Sequence, residues 1–220
     1  MKNTLQTLKD TGVVAIARRI PEQHLVPMAQ ALYEGGVRLL EITFDQAKAS
    51  SCIHDTTSAI RKVRAAMGDR MAIGAGTVLT VAQAKAAVEA GAEFLLSATV
   101  DREVIEEGKR LGAIMIPGAM SPTEIENAYR WGADVVKVFP AGTLGVRYLK
   151  DLSGPLSHIP FLAVGGINEK NMLEYIKAGA IGVGVAGNLL RVDLADSGRL
   201  EELTELAQSY TRQMHEVNYD

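Results

Sequence analysis

Short apolar runs alternate along the chain with longer stretches in which apolar residues recur at helical spacing. The runs fall at 13–17, 37–43, 71–76, 94–97, 113–117, 134–139, 160–164 and 181–185 and are rich in Val, Ile and Leu. Near-continuous apolar runs of this length are the mark of parallel strands covered on both faces. Between them, segments such as 22–34, 81–90, 102–110 and 122–131 predict helices, with a last helix from 200 to about 216. Several helices close on a small-residue signal just before the next strand: Gly35-Gly36, Ala90-Gly91-Ala92, Leu111-Gly112-Ala113, Trp131-Gly132-Ala133 and Ala178-Gly179-Ala180. Glycine there supplies a left-handed C-cap. Eight strand candidates in 220 residues predict a (β/α)8 TIM barrel, one domain spanning 1–220. An open doubly wound sheet is the alternative reading of the same alternation.

Composition narrows the partners more than the fold. A hydrophobic share of 47% supports one large core, and no linker interrupts it. The formal net charge of −3 gives no global basic field for a polyanion, and with 5% aromatics there is no alternation of rings and cations for stacking single strands. Nucleic acid is therefore not expected, and a small molecule is. Cys52 is the lone cysteine, so no internal disulfide or CxxC pair exists and a reducing cytoplasm is the expected location. Residues 1–10 are polar, and no stretch approaches the roughly 18 apolar residues of a membrane span, so neither secretion nor membrane insertion is expected.

In a (β/α)8 barrel the active site gathers where strands end and βα loops begin. Those positions hold Arg18, Glu41 with Thr43, Thr77, Ser97, Pro117, Lys137, Gly165 with Gly166, and the segment 184–188. Lys137 lies in the apolar run Asp134-Val135-Val136-Lys137-Val138-Phe139-Pro140. Desolvation there would lower its pKa and yield the neutral amine that attacks a ketone; the other reading is a lysine that reaches solvent or pairs with a carboxylate. Alternation along Leu39, Glu41 and Thr43 puts these three on one side of a strand, which can be the barrel interior. A carboxyl beside an iminium carbon can shuttle protons, with its pKa raised by a dry environment; alternatively Glu41 makes a structural ion pair with Lys137, Arg18 or Arg38.

Gly74-Ala75-Gly76-Thr77-Val78 ends the third strand with small residues that permit a ligand close to the backbone and a hydroxyl that can bind a carboxylate. Thr77 as the cap of the following helix is the competing reading. Gly165-Gly166 after strand seven and Gly187-Asn188 after strand eight lie where barrels bind phosphate through backbone N–H groups, although glycine-rich turns are common in themselves. His24, His54, His158 and His215 are scattered away from the strand ends, so no metal site is expected and the lysine itself would stand in for a cofactor.

Two segments carry a resemblance that spans nearly the whole chain. Gly132-Ala133-Asp134-Val135-Val136-Lys137-Val138-Phe139-Pro140-Ala141 with Gly145 is similar to the Schiff-base motif of the 2-keto-3-deoxy-6-phosphogluconate (KDPG) and 4-hydroxy-2-oxoglutarate (KHG) aldolases. Gly36-Val37-Arg38-Leu39-Leu40-Glu41-Ile42-Thr43-Phe44 resembles the motif of their acid/base glutamate, and Gly74-Ala75-Gly76-Thr77-Val78 matches in order and spacing. The resemblance implies a class I aldolase on a (β/α)8 barrel, usually a homotrimer. Lys137 would be the nucleophile, Glu41 the proton shuttle, and Thr77 a ligand of the pyruvate carboxylate.

The chain also departs from that pattern. Asp45 stands where many members carry an arginine that contacts the substrate carboxylate, and Arg18 is the alternative source of positive charge. Val164 and Gly187 replace frequent hydroxyl residues of the phosphate loops, and Ser97-Ala98-Thr99 replaces Ser-Pro-Gly. Gly165, Gly166, Gly187 and Asn188 would hold the far end of the substrate. The expected substrate is a 2-keto-3-deoxy sugar acid 6-phosphate, with 4-hydroxy-2-oxoglutarate as the alternative. The rival functions are a phosphosugar isomerase or decarboxylase on the same barrel, which needs no imine, and a noncatalytic sugar-acid binding protein.

Overall fold

The computed structural model describes residues 4–48 and 51–217; residues 1–3 of the polar N-terminal stretch lie outside that range. Its strands are β1 (Val13–Ala17), β2 (Leu39–Thr43), β3 (Ala72–Gly76), β4 (Phe94–Leu96), β5 (Ile114–Ile116), β6 (Gly118–Ala119), β7 (Val136–Val138), β8 (Phe161–Val164) and β9 (Ala180–Val185). All are parallel, in the order β5-β4-β3-β2-β1-β9-β8-β7-β6. The two ends of that list are one strand. β5 and β6 are separated only by Pro117, which lacks an N–H and interrupts the ladder. Ile114–Ile116 pair with β4 on one side, while Gly118 faces Lys137 on the other. The ring closes where Asp134 N–H donates to Met115 O at 3.0 Å and Lys137 N–H to Pro117 O at 2.9 Å. This is the (β/α)8 barrel, and the open doubly wound sheet is ruled out by that closure.

The helices are α1 (Thr4–Thr11), α2 (Glu22–Glu34), α3 (Cys52–Met67), α4 (Val81–Glu89), α5 (Arg102–Arg110), α6 (Pro122–Arg130), α7 (Ala141–Leu144), α8 (Val146–Ser153), α9 (Met172–Lys177), α10 (Val192–Asp196) and α11 (Leu200–Val217). The glycine signals close them as expected; Gly91 and Gly132, at φ 102° and 107°, take conformations that a side chain would strain.

The alternation of strand residues separates two apolar shells. Leu40 and Ile42 pack outward with the helices, whereas Leu39, Val14, Ile16, Phe94 and Leu162 fill the barrel interior. α1 is an element that the sequence pattern left unmarked. Its Leu8, 1% exposed, joins the interior cluster with Leu5 packed beside it, so this helix stoppers the barrel at the end where the strands begin. The opposite end, where the strands finish, is left for chemistry.

Candidate active site

Glu41 and Lys137 both point into the barrel, 2% and 4% exposed, the two charged residues of its described core. Burial raises the Glu41 carboxyl above its ordinary 4.5, opposed by Lys137, then by the Thr43 hydrogen bond and by Arg18. Burial likewise drives Lys137 below its ordinary 10.5, opposed by Glu41 and assisted by Arg18. Each shift favours the neutral form, which for the lysine is the nucleophile and for the carboxyl is the proton donor.

No ion pair joins Glu41 to Lys137, Arg18 or Arg38 within 4.0 Å among the described residues. Arg38 instead donates to Tyr33 O at 2.8 Å and stacks on the Tyr33 ring at 4.3 Å, so the structural ion-pair reading of Glu41 fails. Glu41 Oε1 accepts from the Thr43 hydroxyl at 3.0 Å, while the buried Oε2 has no partner among the described residues. That second oxygen is free to carry a proton. Lys137 Nζ stands 4.6 Å from the centroid of the Phe139 ring, an apolar wall that sequence reading did not single out as part of the site.

Gly76 has a different use from the one expected. A Cβ there would meet Glu41 Oε1 at 1.4 Å, and one on Gly74 would meet the Phe94 ring at 2.3 Å. The room next to these glycines is taken by protein side chains, Gly76 being what lets the Glu41 carboxyl lie flat across β3. Thr77 follows with φ 55°, in the left-handed region that a β-branched residue seldom occupies. Such strain costs about 1–3 kcal/mol and concentrates at functional sites. The helix-cap reading of Thr77 is also corrected: Thr80 caps α4, its hydroxyl accepting from Gln83 N–H at 3.2 Å.

Thr77 lines a cavity of about 170 Å³ together with Arg18, Arg19, Thr43, Asp45 and Gln46. Asp45 takes no role in binding an acid; its carboxylate faces Arg19 side-on at 3.5 Å and accepts from Ala47 N–H at 3.3 Å. Arg19, also left-handed at φ 54°, lines the same cavity and could not be singled out in the sequence because its partner, Asp45, belongs to a different loop. A larger cavity of about 480 Å³ opens beyond Asp45 toward Cys52 and Asp55. Thr43, hydrogen-bonded to Glu41, lines both cavities, and the chemistry sides with the smaller one because Arg18 and Thr77 line it and not the larger.

At the phosphate-type loops, Gly165 and Gly166 are left-handed at φ 94° and 75°. The backbone N–H groups of Gly166, Gly187 and Asn188 have no backbone acceptor among the described residues. The Asn188 side chain is committed instead to Ile167 O at 2.8 Å, tying the two loops together. Among the described residues no three His, Cys, Asp or Glu side chains gather as metal ligands, and no helix is long and apolar enough to cross a membrane.

Residues 3–206 match the family model of KDPG and KHG aldolases. The 2-dehydro-3-deoxy-phosphogluconate aldolase of Treponema pallidum (strain Nichols) is 36% identical over 177 residues, covering 80% of each chain. The KHG/KDPG aldolase of Escherichia coli (strain K12) is 31% identical over 213 residues, covering 94% of each. Among solved structures, a KDPG aldolase of Legionella pneumophila with pyruvate captured at low pH as a covalent carbinolamine superposes with a TM-score of 0.84 at 27% identity, covering 96% of this chain and 98% of that one.

Proposed function

The chain belongs to the KDPG and KHG aldolase family, whose members are carbon–carbon lyases of the Schiff-base class, and from that premise we propose that Lys137 and Glu41 perform the chemistry here. The observation that carries the assignment is the pair of buried, oppositely titrating groups facing one interior, each driven toward its neutral form.

In this mechanism the neutral Lys137 amine adds to the C2 carbonyl of the keto acid, and Glu41 protonates the resulting hydroxyl so that water leaves and an iminium forms. Glu41, now a carboxylate, takes the proton of the C4 hydroxyl; the C3–C4 bond breaks, its electrons flow into the iminium, and an aldehyde departs from the enamine. Glu41 returns the proton to C3; water then adds to the iminium and gives a proton back to Glu41, and collapse of the carbinolamine releases pyruvate and the neutral amine. Thr77 and Arg18 hold the carboxylate, and the N–H groups at Gly165, Gly166, Gly187 and Asn188 hold the far phosphate.

A C6 2-keto-3-deoxy sugar acid 6-phosphate is the proposed substrate, giving pyruvate and glyceraldehyde 3-phosphate. Its support is that the N–H groups of Gly166, Gly187 and Asn188, at the two glycine loops, have no backbone acceptor among the described residues. Residues 1–220 act as one unit in this reading, assembled as a homotrimer in the cytoplasm, in line with the family resemblance and the lone cysteine.

Borohydride reduction in the presence of pyruvate tests the nucleophile. A single adduct should map to Lys137 by peptide mass spectrometry, and Lys137→Arg should lack it, because a guanidinium stays protonated. A full-strength adduct in that variant would move the chemistry to another lysine.

A further inference from the structure

Thr77 is held in a conformation its side chain disfavours, and the restraint can be followed outward. Gln46 Nε2 donates to Thr77 O at 2.8 Å. Gln83 Nε2 donates to Gln46 Oε1 at 3.0 Å, and Gln83 Oε1 accepts from Leu79 N–H at 2.8 Å. Gln83 is 5% exposed, a buried amide on the first turn of α4, whereas Gln46 lies on an exposed turn after β2.

The direction of this chain is fixed by its ends. Leu79 N–H can only donate, so Gln83 must present its oxygen there and its NH2 to Gln46. Gln46 must then accept with its oxygen, which leaves its NH2 for the Thr77 carbonyl, a group that can only accept. Meanwhile the Thr77 hydroxyl has no hydrogen-bond partner among the described residues, and Thr77 lines the cavity together with Arg18.

From this geometry we infer that Gln83, acting through Gln46, is a positioning residue that sets the left-handed backbone of Thr77 and thereby aims its hydroxyl at the substrate carboxylate. The inference rests on the proposed role of Thr77. Since a carboxylate is gripped equally before and during bond cleavage, the relay governs affinity and leaves the chemical step alone.

The test is Gln83→Glu, which keeps an oxygen for Leu79 N–H but has no hydrogen for Gln46. Gln46 must turn its NH2 inward and present its oxygen to the Thr77 carbonyl, which repels it. The pyruvate concentration that half-saturates borohydride trapping should rise roughly 3- to 10-fold, with the yield of adduct at saturating pyruvate unchanged. Gln46→Ala, at an exposed position where folding is not at stake, should raise it too. Adding Gln46→Lys to Gln83→Glu supplies a donor for both oxygens and should bring the value back toward wild type. An unchanged half-saturating concentration in either single variant overturns the inference, as does a loss of adduct at saturation. If the wild type itself traps no pyruvate, the proposed function fails instead.

Discussion

Lys137 and Glu41 work against their surroundings, since burial discharges each of them while each tends to keep the other charged. Arg18 adds a third influence, lowering both. The neutral amine fraction, and with it the rate of imine formation, rises with pH through the Lys137 pKa, below the ordinary 10.5. Removing Arg18 as Gln takes away a cation that lowers this pKa, so the acid limb of the profile should move to higher pH. Removing the Glu41 charge as Gln takes away the anion that raises it, so the limb should move to lower pH, while turnover falls roughly 10² to 10⁴-fold for want of a proton shuttle. Imine formation with pyruvate, followed by stopped-flow across pH, measures both; shifts in the same direction would mean that the limb reports another group.

At the scale of elements, the strand–helix alternation was open to reading because parallel strands covered on both faces are apolar throughout. The ranges 13–17, 22–34 and 102–110 agree with the structure at both ends. Two elements and one side-chain relay were harder, each for its own reason. α1 is short and spends few apolar residues, and its value appears only when Leu8 meets the barrel interior. The fifth strand reads as one run, yet Pro117 divides its partners. The Gln83 relay hid in plain view, since Thr80-x-x-Gln83 has the spacing of a capping box, but its second half, Gln46, is 37 residues away. Likewise the Gly76 gap could not be assigned to Glu41 without the β2–β3 register.

A Cβ on Gly187 would meet nothing within 4 Å, so Gly187→Ser should fold normally and add a hydroxyl to the proposed N–H cradle. The preference in kcat/KM for the phosphorylated sugar acid over its dephosphorylated form should grow by about 0.5–1.5 kcal/mol or more, since the new bond reaches a charged group. Wild-type kcat/KM that is equal or better for the unphosphorylated acid or for 4-hydroxy-2-oxoglutarate would favour the alternative substrate.

For the molecule as a whole, the site is a weak point in an otherwise apolar interior. Glu41 and Lys137 are buried without an ion pair between them, and Glu41 Oε2 lacks a partner among the described residues, so their burial costs free energy that Lys137→Met with Glu41→Gln should relieve, raising Tm. The sign with pH follows from the two shifts. Glu41, with its pKa raised above 4.5, contributes stability at acid pH that is lost as pH rises through the folded value. Lys137, with its pKa lowered from 10.5, contributes stability at alkaline pH that is lost as pH falls through the folded value. The advantage of the double variant should therefore be greatest between those limits and shrink toward either extreme. Urea titrations at several pH values give the measurement, and a pH-independent difference would contradict it.

The stopper formed by Leu5 and Leu8 of α1 has a consequence for traffic. With one end of the barrel plugged and its interior filled, the proposed reaction has a single doorway. Whatever is tethered at Lys137 sits at the back of that room, and whatever the outer loops hold stands nearer the exit. The aldehyde must walk out first, the water that frees pyruvate must come in by the same door, and pyruvate leaves last. An enzyme built this way would read high pyruvate as a queue at the door, and would run backwards whenever an aldehyde arrived before that queue had cleared.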